Sequence, residues 1–329
     1  LLDAYNRKVD YLRISVTDRC NLRCVYCIPE GEILQKTPCE ILTFEELAMI
    51  VKLAVSLGIN KVKITGGEPL MRRNLPRLFS LLFSISGLQD ISLTTNGVLL
   101  ERYAKELKET GLKKINISID TLRQSSFERI TRFGCLDRVL RGIEAALEQK
   151  FLVKLNVVVL RGINDDEILD FARFAQEKNV TLRFIELMPM AHSLKNGRDL
   201  FVSCAEIKED LELLGALSPI NANLGNGPAE YYKIEGTSLI IGFISPISCK
   251  FCLRCNRLRL TADGLLMPCL GSKAGFDLKR HLRNNEEEKV LELLKRAAFF
   301  KPRGHNFIRG LTGHAFSDQR EYLMYQIGG

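Results

Sequence analysis

Tyr11-Leu12-Arg13-Ile14-Ser15-Val16-Thr17-Asp18-Arg19-Cys20-Asn21-Leu22-Arg23-Cys24-Val25-Tyr26-Cys27 runs a short strand directly into a loop with three cysteines. In the strand, Leu12, Ile14 and Val16 face one way while Arg13 and Ser15 face the other, as the two-residue period of a β-strand requires. The cysteines follow as C-x3-C-x2-C. Three thiolates cannot complete a cubane iron–sulfur cluster, because each of its four irons needs a terminal ligand. Such spacing implies a missing partner or an iron left open to bind and reduce a small molecule. The structural alternative is a zinc site of three cysteines and one histidine. The chain has four histidines, His192, His281, His305 and His314, and none is near this loop in sequence.

Five more runs with the same alternation follow: Lys61–Thr65, Asp90–Thr95, Lys114–Ile119, Leu152–Leu160 and Thr181–Met188. Helical periods separate them, the first opening on a capping box in which Glu46 follows Thr43 by three residues. Others run near Leu75–Ile85, Leu99–Thr110, Leu136–Lys150 and Asp166–Lys178. Strict β-α alternation predicts an α/β fold with a parallel sheet under helices, as a barrel, a partial barrel or an open doubly wound sheet.

Parity divides every strand into an aliphatic face and a polar one. Val62 and Ile64 oppose Lys61, Lys63 and Thr65. Ile91 and Leu93 oppose Ser92 and Thr94. Ile115, Ile117 and Ile119 oppose Asn116, Ser118 and Asp120, and Val153, Leu155, Val157 and Val159 oppose Lys154, Asn156 and Val158. The interior of a closed barrel is ordinarily filled with aliphatic layers. Here it would hold Arg13, Lys61, Lys63 and Lys154, and burying an unpaired cation costs on the order of several kcal/mol. The parity predicts a wet, cationic lumen built for a polyanion such as a triphosphate.

That lumen also accounts for the formal net charge of +8. Basic residues are interleaved with acids, without a basic tail or dense basic helix, so a nucleic-acid partner is not expected. No apolar run reaches membrane-spanning length and residues 1–7 lack a signal peptide's apolar region, which predicts a cytoplasmic protein with no membrane partner. In that compartment ten cysteines point to metal or redox chemistry rather than disulfides. Cys39, Cys135 and Cys204 stand alone and read as buried thiols.

After the second strand comes Thr65-Gly66-Gly67-Glu68-Pro69. Two glycines at the carboxyl end of a parallel strand let a backbone approach a ligand, at the end where parallel α/β folds bind ligands. Further on, Cys252, Cys255 and Cys269 form C-x2-C-x13-C, with Cys249 three residues upstream. Taken alone, that spacing suits a zinc knuckle.

The cysteine loop and the Gly-Gly-Glu-Pro turn resemble those of the radical S-adenosylmethionine enzymes. Phe251-Cys252-Leu253-Arg254-Cys255-Asn256-Arg257-Leu258-Arg259-Leu260-Thr261-Ala262-Asp263-Gly264, leading to Cys269-Leu270, resembles the second cluster region of the GTP 3′,8-cyclase family of molybdenum-cofactor biosynthesis. Residues 11–20 and the final Gly328-Gly329 are similar to that family as well. The resemblance implies an incomplete six-stranded (β/α)6 TIM-like barrel over residues 1–190. A C-terminal α+β domain, residues 191–329, would close its open side and carry the second cluster and the Gly-Gly tail.

The resemblance further implies two 4Fe–4S clusters, on Cys20, Cys24 and Cys27 and on Cys252, Cys255 and Cys269. It assigns no role to Cys249, which is either a bystander, the reading favoured by Arg257 and Arg259 following at once, or a thiol that closes the fourth site and displaces substrate. Tyr26, Gly67, Ser118 and Met188 would contact S-adenosyl-L-methionine. GTP contacts fall on Arg13, Lys63, Thr94, Lys154 and Arg257 through Arg259, including Leu258, with Lys61 and Arg183 joining on the phosphates. Gly328 and Gly329 would act within the active site. Many relatives carry arginine at Lys63 and glycine at Asn6.

The implied reaction is radical cyclisation of GTP to (8S)-3′,8-cyclo-7,8-dihydroguanosine 5′-triphosphate, a lyase step that opens molybdenum-cofactor synthesis. A flavodoxin- or ferredoxin-like reductant, delivery of product to cyclic pyranopterin monophosphate synthase, and a monomer or homodimer complete the expectation. The alternatives are a radical enzyme that modifies a peptide using an auxiliary cluster, or a non-enzymatic iron–sulfur or zinc module.

Overall fold

The computed structural model of the chain describes residues 1–29, 31, 35–188, 199–221, 224–272, 275–305 and 323–328. Strands β1 (Tyr11–Ser15), β2 (Lys61–Thr65), β3 (Asp90–Thr95), β4 (Lys114–Ser118), β5 (Leu152–Val158) and β6 (Thr181–Ile185) are the six runs read from sequence. Helices α1 (Phe44–Ser56), α2 (Leu75–Phe83), α3 (Leu100–Glu109), α4 (Gln124–Thr131), α5 (Leu136–Glu148) and α6 (Ile168–Glu177) lie between them. The capping box at α1 is formed: Glu46 N–H donates to Thr43 Oγ1 at 3.1 Å, and Thr43 N–H to the Glu46 carboxylate at 2.7 Å. Loss of such a cap costs about 1 kcal/mol. Leu47, Ile50, Val51 and Ala54 then present one helical face to the core.

The remaining elements are α7 (Cys204–Glu212), β7 (Leu217–Ile220), β8 (Glu230–Ile234), β9 (Ile240–Ile244), β10 (Arg257–Leu260), β11 (Leu265–Met267), β12 (Phe276–Asp277), α8 (Lys279–Arg283) and α9 (Glu287–Phe299). Among the described residues, all twelve strands join one sheet in the order β12-β11-β10-β1-β2-β3-β4-β5-β6-β9-β8-β7. Strands β1 to β6 pair in parallel, and β10 adds in parallel to β1 while β9 adds in parallel to β6. The six strands read from sequence are therefore the middle of a larger sheet. Edge strands with unpaired backbone groups invite such partners, and both edges here are covered by the chain's own second half. The boundary expected at residues 190 and 191 lies outside the described residues.

The parity reading holds on the outer face. Leu12, Ile14, Val62, Ile64, Leu93, Ile115, Ile117, Leu155 and Val157 all sit in the main apolar core beneath the helices. Burial of each such side chain contributes about 1.5–3 kcal/mol. Between β1 and β9, helices α4 and α7 fall outside the expected helical stretches. Helix α4 is short and lacks a side-chain cap, whereas α7 opens on a Ser203–Glu206 capping box like that of α1. Asn6 has φ of +60°, a conformation asparagine tolerates better than most residues. The reading of three buried thiols needs correction: Cys204 is buried, but Cys39, in a turn ahead of α1, and Cys135, at the N-cap of α5, are exposed.

Candidate functional site

The inward face of the sheet encloses a cavity of about 290 Å³. Its wall includes Arg13 of β1, Lys63 of β2, Thr94 of β3, Ser118 of β4, Asn156 of β5 and Arg183 of β6. Ile244 of β9 and Arg257 and Arg259 of β10 complete the circuit, so strands from both ends of the sheet curve round one space.

Cys20, Cys24 and Cys27 open onto that cavity where β1 ends. The loop is fixed on both sides. Arg23 N–H and Val25 N–H donate to the carbonyls of Thr131 and Ile130, each at 2.9 Å, while Cys27 N–H closes a turn onto Cys24 at 2.9 Å. The Tyr26 hydroxyl donates to the Asp120 carboxylate at 2.5 Å, tying the loop to the end of β4. Burial pushes the thiols up, Cys20 to about 11, Cys27 to about 12 and Cys24 well above its ordinary range. Left alone they stay neutral, and only a bound cation makes three thiolates here tolerable. Among the described residues no three His, Cys, Asp or Glu side chains converge on one metal ion. A cubane places its ligands on separate irons and spreads them more widely than a single ion does.

The glycine turn packs directly on this loop. Gly67 N–H donates to the Thr17 carbonyl and Glu68 N–H to the Arg19 carbonyl, each at 2.7 Å. A Cβ on Gly67 would stand 2.3 Å from the Arg19 oxygen, and one on Gly66 2.8 Å from the Thr17 oxygen. The backbone is thus bare at the cavity's edge because nothing larger fits. Glu68 braces the turn from behind: its carboxylate accepts from Leu70 N–H at 3.0 Å, Thr95 Oγ1 at 2.7 Å and Asn96 N–H at 2.7 Å. Burial raises it to about 7 against those hydrogen bonds. Tyr26, Gly67, Ser118 and Met188 all line the cavity.

The cations are deeply placed. Burial, reinforced by Arg183, Arg13, Lys154 and Arg257, holds Lys63 well below the usual lysine range. Burial brings Arg13 to about 10 and Arg259 to about 9, with neighbouring arginines adding to the effect. Arg183 is 5 % exposed and its Nε has no hydrogen-bond partner among the described residues, nor has Asn156 Oδ1. A buried donor and acceptor left open beside crowded cations fit a polar, anionic ligand.

Three expected substrate residues do not reach this wall. Lys61 shares the parity of Lys63 but sits a layer lower, paired with Asp10 at 2.8 Å. Lys154, brought down to about 8 mainly by burial, donates to the Leu224 carbonyl. Leu258 is fully buried on the opposite face, in the apolar core, as its position between Arg257 and Arg259 dictates.

Cys252, Cys255 and Cys269 face the same cavity from the other side. Burial raises Cys255, but Arg257 and Lys301 beside it outweigh that and bring it down to about 7. Cys249 is exposed and is not part of the wall. At the chain's end Tyr325 and Ile327 are buried, and Arg259 donates to the carbonyl of Gly328. Gly329 lies outside the described residues. Sequence reasoning missed Asp120 and Asn156 as site residues, although both stand on the polar parity of their strands. It also missed Asn96, which donates to Asn21 at 2.8 Å and whose signal is only its place after β3.

Comparison with known proteins agrees with this geometry. The family model described as "Radical SAM superfamily" matches residues 14–175, and that described as "Molybdenum Cofactor Synthesis C" matches residues 180–307. The GTP 3′,8-cyclase of Thermodesulfovibrio yellowstonii is 47% identical over 92% of this chain and 94% of its own length. That of Syntrophomonas wolfei is 45% identical over the whole of both chains. Among solved structures, Streptococcus suis SuiB bound to S-adenosylmethionine superposes with a TM-score of 0.63 at 13% identity, covering 89% of this chain and 68% of that one. Native anSMEcpe with bound AdoMet gives 0.57 at 16% identity over 92% and 95%. The structural likenesses carry the fold, and the sequence identity over full length carries the rest: this chain belongs to the GTP 3′,8-cyclase family of the radical SAM superfamily.

Proposed function

We propose that the protein is a radical SAM lyase that cyclises GTP to (8S)-3′,8-cyclo-7,8-dihydroguanosine 5′-triphosphate, the first step of molybdenum-cofactor biosynthesis. One observation carries the reading: both cysteine triads and five cations, Arg13, Lys63, Arg183, Arg257 and Arg259, open on one cavity, Arg183 and Arg259 being buried in its wall. Without a polyanion that arrangement is costly, and a triphosphate offsets the cost with charge-assisted hydrogen bonds. The sheet is read as an incomplete barrel formed by residues 1–190, closed by a domain of residues 191–329.

Cys20, Cys24 and Cys27 hold one 4Fe–4S cluster in this proposal, and Cys252, Cys255 and Cys269 hold a second. When bound, the first cluster and S-adenosyl-L-methionine supply the one-electron chemistry of hydrogen abstraction. The chain's own residues bind and align. Backbone at Gly67 receives the cofactor's amino acid end, with Tyr26, Ser118 and Met188 around it. The five cations fix the triphosphate, and Thr94 lines the same cavity. Gly328 brings backbone against Thr65 and Arg13 without side-chain bulk, and Gly329 is proposed to act with it. Holding ribose and cofactor in register is the main contribution, because effective alignment is worth several orders of magnitude in rate. Lys154 joins the phosphates only on leaving Leu224.

A flavodoxin- or ferredoxin-like protein is the proposed reductant, and the product passes to cyclic pyranopterin monophosphate synthase. No described helix is long and apolar enough to cross a membrane. A cytoplasmic monomer or homodimer is the proposed form. The test is anaerobic reconstitution with iron, sulfide, reductant, S-adenosylmethionine and GTP, scoring 5′-deoxyadenosine and a cyclised nucleotide. Cofactor cleavage that leaves GTP untouched, and requires a peptide instead, overturns the proposal.

A further inference from the structure

Behind the second cysteine triad lie two cations that the reaction outlined above does not use. Lys301 is 3 % exposed, and its ammonium is directed into the loops that carry the cysteines. It donates to the Arg257 carbonyl at 2.5 Å, to the Pro268 carbonyl at 3.0 Å and to Cys255 Sγ at 3.6 Å. One ammonium therefore joins the thiol of the second cysteine, the residue two beyond it, and the residue just before Cys269. Its three N–H groups are all used.

Arg7 supplies the remaining link. Its guanidinium donates to the Cys252 carbonyl at 2.6 Å and to the carbonyls of Lys301 at 3.4 Å, Pro302 at 2.7 Å and Arg303 at 3.3 Å. Asp3 holds that guanidinium in turn at 2.5 Å. Every cysteine of the triad is thus tied, by its own atoms or its neighbour's, to one of two buried cations. The carbonyls around Lys301 are arranged for a cation, not for a packed aliphatic stem.

We propose that Lys301, braced by Arg7, is a positioning residue for the second triad, setting the spacing of its thiolates and making a cluster held there easier to reduce. Hydrogen bonds and positive charge at a cluster's sulfurs favour its reduced form, which carries one more negative charge. The inference rests on the two-cluster reading and concerns only how the chain shapes the second site. A neutral side chain of similar length would fill the space but leave two carbonyls and a thiol without their donor.

The test uses full-length protein with Cys20, Cys24 and Cys27 replaced by Ala, so that bound iron reports the second site alone. Lys301→Met, Lys301→Gln and Lys301→Arg are compared with this parent for iron content, electron paramagnetic resonance of the reduced protein, midpoint potential and rate of iron loss to a chelator. Lys301→Met and Lys301→Gln are expected to shift the midpoint to lower potential and lose iron severalfold faster, and Lys301→Arg to restore both towards the parent. If Lys301→Met does not take up iron, Lys301→Gln, which keeps a donor without the charge, decides. A midpoint equal to the parent's in either iron-loaded neutral variant overturns the inference. A parent that binds no iron removes the two-cluster reading and this inference with it, whereas normal parent iron with unmoved variants removes the inference alone.

Discussion

Arg259 on β10 donates its guanidinium to the carbonyl of Gly328, clamping the end of the chain against the cavity wall. A second, longer bond reaches the Ile327 carbonyl at 3.4 Å. Gly328 has φ of +69°, and a Cβ there would stand 2.4 Å from Thr65 Cγ2. Deleting Gly328 and Gly329 is therefore expected to leave both clusters and GTP binding in place and cofactor cleavage partly active, while cyclised product disappears. Gly328→Ala should behave in the same direction through displacement of the tail. Normal turnover by the truncated enzyme, measured by product chromatography, returns the tail to a packing role.

Lys63→Ala should weaken GTP binding by roughly 1.5–3 kcal/mol, the range for a lost hydrogen bond to a charged group. Basal cleavage of S-adenosylmethionine should persist. Lys154→Ala should cost less, because Lys154 is held by Leu224 outside the wall. Calorimetric titration of GTP into both variants checks the order, and equal affinity in Lys63→Ala and the parent would move the triphosphate elsewhere.

Lys154 also gives a pH dependence. Burial lowers it from 10.5 to about 8, so between those values the unfolded chain binds the proton and the folded one releases it. Stability from this residue therefore rises with pH across that window and is lowest below it. Lys154→Met should accordingly stabilise the ligand-free protein at pH 7, by a few kcal/mol at most given about 1.4 kcal/mol per pK unit. The difference in melting temperature between variant and parent should shrink as pH climbs from 8 towards 10. A constant difference would show that the ammonium is already compensated.

Gly67→Ala should remove the first cluster and spare the second. The added Cβ meets the Arg19 carbonyl, so the turn or the cysteine loop must give way. Resonance spectra should lose the first cluster's signal, and 5′-deoxyadenosine should no longer form. Retention of both would mean that the turn has slack the packing does not suggest.

Anaerobically prepared protein should contain about eight irons, the sum of two cubanes. Cys24→Ser should abolish cofactor cleavage outright. Stoichiometric zinc at Cys252, Cys255 and Cys269 in such protein would sink the two-cluster proposal.

Much of the site was legible because a strand's period of two is rigid. Once Ile14, Ile64 and Ile117 are assigned to the helix side, Arg13, Lys63 and Ser118 have nowhere to point but inward. Parity gives a face but not a depth, which is why Lys61 and Lys63 looked equivalent although only one reaches the cavity. Leu258 was swept in with the arginines on either side, where the same parity argument would have excluded it. The pairing of β10 with β1 and of β9 with β6 left no local trace. A strand's neighbour is chosen by the geometry of the whole sheet, and nothing in Arg257–Leu260 names Tyr11–Ser15.

That last pairing orders the protein's assembly in time. As the chain leaves the ribosome, β1 can find β2 early, but its other edge waits for Arg257–Leu260, some three quarters of the chain later. Contacts of such separation form slowly, and an unpaired edge is prone to wrong partners meanwhile. The first cysteine triad is therefore presented well before the wall that covers it exists. On the proposed reading, Cys20, Cys24 and Cys27 would therefore be open to iron during synthesis until β10 completes the sheet beside them.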